Sequence, residues 1–301
     1  MFDWENLRYF VAVAQTGSLS AAARQLKVDH ATVGRRLGAL EAELQARLVD
    51  RLPRACQLTA LGRQVFELAV QMEATAFAVE RVTRAEQPSM TGRVTLSVPP
   101  VLASNFFARH LGGFRQQYPG IQLSIASQVQ SVSLGRREAD IAVRLFRPSE
   151  PRNVTRRLGR MPFGLYASHD YPQAQRPEDW GFIIYDAQYA DMPHQKWMLS
   201  VAGHRPIVCE VSDLSTQKVA ALTGIGVAGL PLFMGEEEPG LQRLPFEGEA
   251  FHRDIWLVVH ADLRNSPMIR AVIDFMANAM RQTFEIDVSD EQGLLDSESP
   301  G

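Results

Sequence analysis

The sequence predicts a multi-domain α/β chain: a winged helix-turn-helix, then a long linker helix, then an α/β region assembled from two sets of strands and helices. Three observations carry this prediction. Short amphipathic helices separated by tight turns fill the first sixty residues. Apolar residues stepping by four and three follow from Leu61. Beyond Thr91, short β-type runs alternate with helical ones, as in a sheet of largely parallel strands.

In the first segment, Leu7, Phe10, Val11 and Ala14 form the stripe of an amphipathic helix. Thr16-Gly17 stops it, and Ser18 is a ready N-cap for the alanine-rich LSAAARQL. Lys27-Val28 is a tight connection, and Asp29 caps a third helix reaching to about Leu44. Two helices joined by so short a turn make the helix-turn-helix pattern. Val33, Leu37, Leu40 and Leu44 share the inward face of the third helix. Its outward face is centred on Arg35, with Ala31 and Thr32 on one flank, Gly34 and Gly38 on the other, and His30 in the first turn. Small residues let a backbone sink into a major groove while arginine reaches bases or phosphates. A merely solvated helix would prefer Glu, Lys or Gln to two glycines, each costing up to ~1 kcal/mol. In LVDRLPRACQLTALG, Arg51 and Arg54 bracket Pro53 in a strand-turn-strand wing, placed for phosphates, and Thr59 caps the next helix.

Charge follows the same division. Residues 1–65 hold nine Lys/Arg against six Asp/Glu, while the remainder holds 22 against 28, so a chain of net charge -3 has a basic head. A polyanion would meet the head alone.

The stretch from Leu7 to Gly62, LRYFVAVAQTGSLSAAARQLKVDHATVGRRLGALEAELQARLVDRLPRACQLTALG, resembles the winged helix-turn-helix of LysR-type transcriptional regulators nearly position for position. The resemblance implies that Leu19 to Gly38 is the DNA-reading element. With the residues above, it makes Ser18, Ser20, His30, Ala31, Thr32, Gly34, Arg35, Arg36, Arg51 and Arg54 the expected DNA-binding set. The chain departs from the family pattern at Asp29 and His30, where serine and glutamine are common, and at Gly34, where serine is usual. Position 34 therefore offers only backbone.

Leu61, Val65, Leu68, Met72, Val79 and Val82 form a heptad seam with Thr75 in one polar slot, the mark of a two-helix coiled coil. The resemblance implies a homodimer through 61–85, whose paired heads would match a pseudo-palindromic site. Further on, RVTLSV, IQLSIAS and DIAVRLF are expected strands, with a helix LASNFFARHLGGFRQQYP and a short one at SVSLGRREA. The second set is FGLYAS, FIIYD, PIVCEV, a helix from Asp213 to Leu222, GVAGLP, DIWLVVHA and a last helix from Pro267 to about Phe284. This region is similar to the family's effector-binding domain, which resembles type 2 periplasmic binding proteins: two lobes around a ligand cleft. The expected domains are 1–60, a linker at 61–90, an effector-binding domain at 91–285 and a disordered tail at 286–301. Within the effector-binding domain, lobe I takes 91–162 with 265–285 and lobe II takes 163–264.

Ligands in such folds sit at carboxyl ends of strands. That places Pro99, Pro100, Val101, Ser104, Gln128, Val129, Leu145 and Arg147 on one wall of the cleft, with Asp186 and Gly226 on the other. Relatives often present hydroxyls where Pro99, Pro100 and Val101 stand here, which argues against an acidic effector and leaves two alternatives, a more apolar or weakly polar ligand or a cleft that binds little.

Several patterns are excluded. GIGVAG, at 224–229, satisfies a dinucleotide fingerprint in letters, but a helix precedes it and Leu230-Pro231 follows. Ser168-His169-Asp170 are too close in sequence to act as a triad. The histidines at 30, 110, 169, 194, 204, 252 and 260 have no metal-ligand spacing, and the cysteines, Cys56 and Cys209, lie far apart. No cofactor, metal or catalytic residue is expected. The N-terminus does not read as a signal peptide and no apolar run would span a membrane, so the expected location is the cytoplasm. The expected function is regulation of transcription on double-stranded promoter DNA, with an allosteric small-molecule effector and RNA polymerase as a further candidate partner. A homodimer or homotetramer would carry it. The alternatives are a solute-binding protein or enzyme on the α/β region, or an effector-independent DNA binder.

Overall fold

The computed structural model describes residues 2–52, 55–85, 90–127, 139–148 and 153–284. The chain divides into two compact units, Met1–Thr83 and Arg84–Gly301. No helix among the described residues is long and apolar enough to cross a membrane.

The first unit opens with α1 (Trp4–Thr16), α2 (Leu19–Leu26) and α3 (His30–Glu43). Asp3, Ser18 and Asp29 cap them, each side chain accepting a hydrogen bond from a backbone N–H of the first turn. Gly17 ends α1 at φ +68, and Lys27 ends α2 in the same left-handed region. Phe10, Val13, Val33, Leu37 and Leu40 close the core between α1 and α3. The wing is the antiparallel pair β1 (Val49–Leu52) and β2 (Ala55–Leu58), with Val49 opposite Leu58. α4 (Ala60–Ala85) follows. The Thr59 hydroxyl accepts from the Gly62 N–H at 2.9 Å, as an N-cap should. At Gly62 a Cβ would stand 2.0 Å from the Leu48 carbonyl oxygen, so only glycine lets α4 start this close to the wing.

The second unit begins with β3 (Gly92–Val98), which leads to α5 (Pro100–Leu102), a π-helical turn (Ala103–Phe107) and α6 (Ala108–Gln117). β4 (Ile121–Ser127) and β5 (Ile141–Arg144) flank β3, both parallel to it. SVSLGRREA, expected to be a short helix, falls almost wholly outside the described residues. β6 (Asn153–Ser168) then runs sixteen residues through both lobes. In lobe II lie β7 (Phe182–Tyr185), α7 (Pro193–Ala202), β8 (Ile207–Val211), α8 (Leu214–Leu222), β9 (Val227–Pro231), α9 (Leu232–Gly235) and β10 (Leu241–Leu244). Here β7 is parallel to β8 and β9, while β9 and β10 pair antiparallel with the second half of β6. The chain returns through β11 (His252–His260) and ends its described part in α10 (Pro267–Arg281).

β11 corrects the expected lobe boundary. It pairs antiparallel with β5 and with the first half of β6, so 252–260 belongs to lobe I, and the return crossover precedes 252 instead of lying near 264. The register slips between Ile255 and Trp256, leaving Leu158 as the extra residue of a bulge. The two crossovers meet where the Phe163 N–H donates to the Phe251 carbonyl at 3.0 Å. Val94, Leu96, Ile141, Ile255, Val272 and Met280 pack lobe I, and Trp180, Phe182, Met198 and Val227 pack lobe II.

Candidate nucleic-acid interface and interlobe cleft

Within the first unit, α3 presents the outward face that its periodicity predicts. His30, Ala31 and Arg35 are exposed, Thr32 and Gly34 are partly exposed, and Ser20 on α2 is exposed. No hydrogen bond or ion pair among the described residues occupies Arg35. A Cβ built at Gly34 or at Gly38 would meet nothing within 4 Å. No packing inside the unit therefore calls for either glycine, although both weaken the helix. Their effect is to keep this ridge low.

The first turn is more constrained. The Thr32 N–H and hydroxyl both donate to the Asp29 carboxylate, at 2.7 and 2.6 Å. These bonds hold the Asp29 pKa below the usual carboxylate range. A fixed negative charge thus sits at the start of α3, unfavourable to a phosphate there, and the Thr32 hydroxyl can offer a base only its lone pairs. Ser18 is likewise committed, accepting from the Ala21 N–H.

Arg36 requires a correction. It turns away from the outward face and toward α1, donating to Asn6 Oδ1 at 3.2 Å, pairing with Asp3 at 3.5 Å and lying over the Tyr9 ring at 5.8 Å. One residue is 100° of helix, enough to carry Arg36 onto the flank that α1 covers. It braces α3 and does not belong to the free face. Arg51 stands exposed on the wing, 3.9 Å from Glu41, whereas Arg54 lies outside the described residues.

Glu41 escaped the sequence argument. One carboxylate oxygen accepts from the N–H groups of Leu48 and Val49, at 2.8 and 3.1 Å, tying the end of α3 to the root of the wing. An acid in a helix's last turns is the only signal the sequence carries for this. On α4, Leu61, Leu68, Met72, Val79 and Val82 are exposed, Leu68 at 61% and Val79 at 65%, while Val65 packs into the core.

In the second unit, the strand ends of the two lobes face one another. Asn105, in the turn after β3, donates across to the Ser215 hydroxyl on α8 at 3.2 Å. Pro99, Pro100 and Val101 start the helix as expected, and Ser104 is exposed. The Leu102 and Ala103 N–H groups both donate to the Pro99 carbonyl. Two prolines without N–H groups leave Val101 as the only free amide of this turn. Asp186 caps a 3-10 turn by accepting from the Gln188 N–H, and Gln128 and Val129 lie outside the described residues. Arg147 is exposed and lies over the Trp256 ring at 5.4 Å.

Gly226 is a second correction. GVAGLP is a strand, so Gly226 precedes β9 at the end of the sheet away from Tyr185; the cleft end of that strand is Pro231. A Cβ at Gly226 would lie 2.6 Å from the Gly181 carbonyl and 2.8 Å from Val208, which accounts for the glycine by packing. The order α8, turn, β9 also removes GIGVAG as a nucleotide turn.

A cation lies at the cleft floor. Arg253 of β11 reaches the carboxyl end of β5, where Nε and Nη2 both donate to the Leu145 carbonyl, at 3.1 and 2.6 Å. Burial lowers its pKa. Its charge acts on the Tyr185 hydroxyl, which burial pushes upward, and on His194, which burial pushes down to about 4. The His194 ring meets Tyr185 edge-on, 5.3 Å between centroids, and Phe163, Trp197 and Phe251 surround it.

A helix-turn-helix head with a free basic ridge, joined to a two-lobed α/β unit, defines a ligand-responsive DNA-binding regulator. Comparison with known proteins places it more closely. Residues 4–63 match the family described as bacterial regulatory helix-turn-helix protein, lysR family, and residues 87–281 match the LysR substrate binding domain. The chain belongs to the LysR family of transcriptional regulators. It is 28% identical over 286 residues to the Mau operon transcriptional activator of Paracoccus denitrificans, covering 95% of this chain and 99% of that protein. It is 28% identical over 237 residues to the AhcY transcriptional activator HvrB of Rhodobacter capsulatus, covering 75% and 80%. Among solved structures, full-length OxyR from Pseudomonas aeruginosa is similar with a TM-score of 0.64 at 20% identity, covering 93% of this chain and 95% of that one. ArgP from Mycobacterium tuberculosis is similar with a TM-score of 0.59 at 21% identity, covering 95% and 100%. These structural likenesses concern the fold.

Proposed function

We propose that this regulator reads duplex DNA in the major groove with the outward face of α3. His30, Ala31, Thr32 and Arg35 would meet base edges, with Gly34 and Gly38 admitting close approach. Ser20 and Arg51 would hold phosphates. The observation that carries this reading is the open space over both glycines beside an unpaired Arg35. The exposed apolar stripe of α4 would pair with a second copy, since apolar side chains on an isolated helix gain from a partner. A small molecule in the cleft of the second unit would favour one lobe arrangement and so shift the population of DNA-binding geometries.

The test is operator affinity of the full-length protein by fluorescence anisotropy at fixed salt. Arg35→Ala should weaken specific binding by about 1–3 kcal/mol, and Arg36→Ala should act mainly by lowering head stability. Unchanged binding in the Arg35 variant would overturn the assignment of the α3 face.

A further inference from the structure

The loop GEEEPG, residues 235–240, joins α9 to β10 in lobe II and is fastened at both ends. A Cβ at Gly235 would run into the Tyr166 ring of β6, so glycine lets the loop start flat against that ring. At the other end the Glu238 carbonyl accepts from the Leu241 N–H at 3.0 Å. Three adjacent carboxylates repel one another, and each is answered by a cation from a different element. Glu236 pairs with Arg243 of β10 at 3.3 Å, and Glu238 pairs with Lys218 of α8 at 3.2 Å. The outer two glutamates are thus spent within lobe II. Glu237, between them, pairs with Arg109 of α6, in lobe I.

Arg109 does not act alone, because its neighbours Asn105 and Phe106 also reach lobe II. Asn105 donates to the Ser215 hydroxyl of α8 at 3.2 Å. The Phe106 ring meets Phe233 of α9 edge-on, 6.3 Å between centroids. Phe284, just past α10 in lobe I, lies 5.1 Å from Phe106 and meets the same Phe233 ring edge-on at 5.4 Å. A buried phenylalanine of lobe II is therefore held by two aromatic rings of lobe I. An exposed ion pair by itself contributes little. Here the pair belongs to a set that shares one motion: the lobes are joined by the crossovers at Phe163 and Phe251, and separating them would break all these contacts and bring Phe233 into water.

We propose that Glu237 and Phe233 form a latch that holds the two lobes together before any ligand arrives, caught on the lobe I side by Arg109 and the Phe106–Phe284 pair. The latch sets the angle between the lobes, whatever lies between them, and so does not depend on the effector-binding reading above. Any ligand that needs a more open cleft must prefer the open form by at least as much as the latch favours the closed one. Both side chains of the Arg109–Glu237 pair are about half exposed, at 49% each, so salt weakens this part of the latch.

The experiment reads the interlobe distance of the full-length protein by pulsed electron paramagnetic resonance. Spin labels go on Gln116→Cys of α6 and Ser200→Cys of α7, both exposed, in a Cys56→Ser, Cys209→Ser background. Labelled chains are diluted in unlabelled protein, so that distances within one chain are read. One narrow distance population is expected in this parent. Arg109→Glu and Glu237→Arg should each raise a longer-distance population severalfold, and the two changes together should restore the narrow one by re-forming the pair with its charges exchanged. Salt at about 1 M should broaden the parent's distribution in the same direction. Should a variant fail to fold, the salt series on the parent decides. A broad distribution in the parent at low salt, or one unmoved by salt and by both single variants, would overturn the latch. A double variant no narrower than the single ones would overturn the pairing of Arg109 with Glu237 as its catch.

Discussion

Replacing Gly34 and Gly38 by alanine separates the stability of α3 from its use. A glycine in a helix interior costs up to ~1 kcal/mol relative to alanine. At both positions the added Cβ meets nothing within 4 Å, so no clash offsets the gain. The double variant should therefore stabilise the first unit by ~2 kcal/mol, which for a unit of this size moves its melting temperature by roughly 10 °C. If the face lies against DNA, the same two methyl groups stand where another surface must approach. Overpacking of that kind costs about 1–3 kcal/mol, roughly a fivefold to 150-fold loss of operator affinity. Calorimetry of the free protein and anisotropy titration on operator DNA read the two effects separately. The slope of affinity against salt should not change, because no phosphate contact has been removed. A stabilised variant with undiminished affinity would refute the reasoning, since nothing would then approach the glycines. A variant that gained no stability would refute the helix-propensity half of it.

Leu68→Glu with Val79→Glu should convert the protein to monomers by sedimentation velocity, because both positions belong to the exposed stripe of α4; a persisting dimer would show that the stripe is not the seam. Gln217 is 0% exposed with neither amide atom bonded, so Gln217→Met should raise the melting temperature of the second unit by relieving about 1–3 kcal/mol of unmet polarity; a lower melting temperature would contradict it. His194 also makes stability depend on pH. Its folded pKa, about 4, lies below the ordinary 6.5, so its contribution is complete above pH 6.5 and is lost as pH falls toward 4. The loss should total roughly 3 kcal/mol by linkage, and His194→Asn should flatten that part of the profile of melting temperature against pH.

The first unit was legible because local signals agree there: caps at Asp3, Ser18 and Asp29, a left-handed stop at Gly17, and apolar residues at helical spacing. What failed there depended on distant partners. Arg36 and Arg35 look alike in sequence, and partners about thirty positions away, Asn6, Asp3 and Tyr9, separate their roles. Glu41 gains its function from the backbone of Leu48 and Val49 after the chain has turned. In the second unit the strand types were readable but their partners were not. NVTRRLGRM is too polar to announce a strand, and it becomes one because β11 pairs along it. Gly226 was misplaced because a glycine that packs closely and one that turns are the same letter. Arg253 passed unnoticed, since a single arginine beside an apolar run has meaning only once the register brings it to Leu145.

Two copies of this chain are proposed to read DNA through paired α3 faces. Selection of bound duplexes from random DNA by the full-length protein, run beside Arg35→Ala, tests it most directly. Enrichment of an inverted repeat whose half-sites lie a whole number of helical turns apart is expected, and it should be lost or relaxed in the variant. Enrichment of a single asymmetric site, or the same repeat recovered equally by Arg35→Ala, would contradict it.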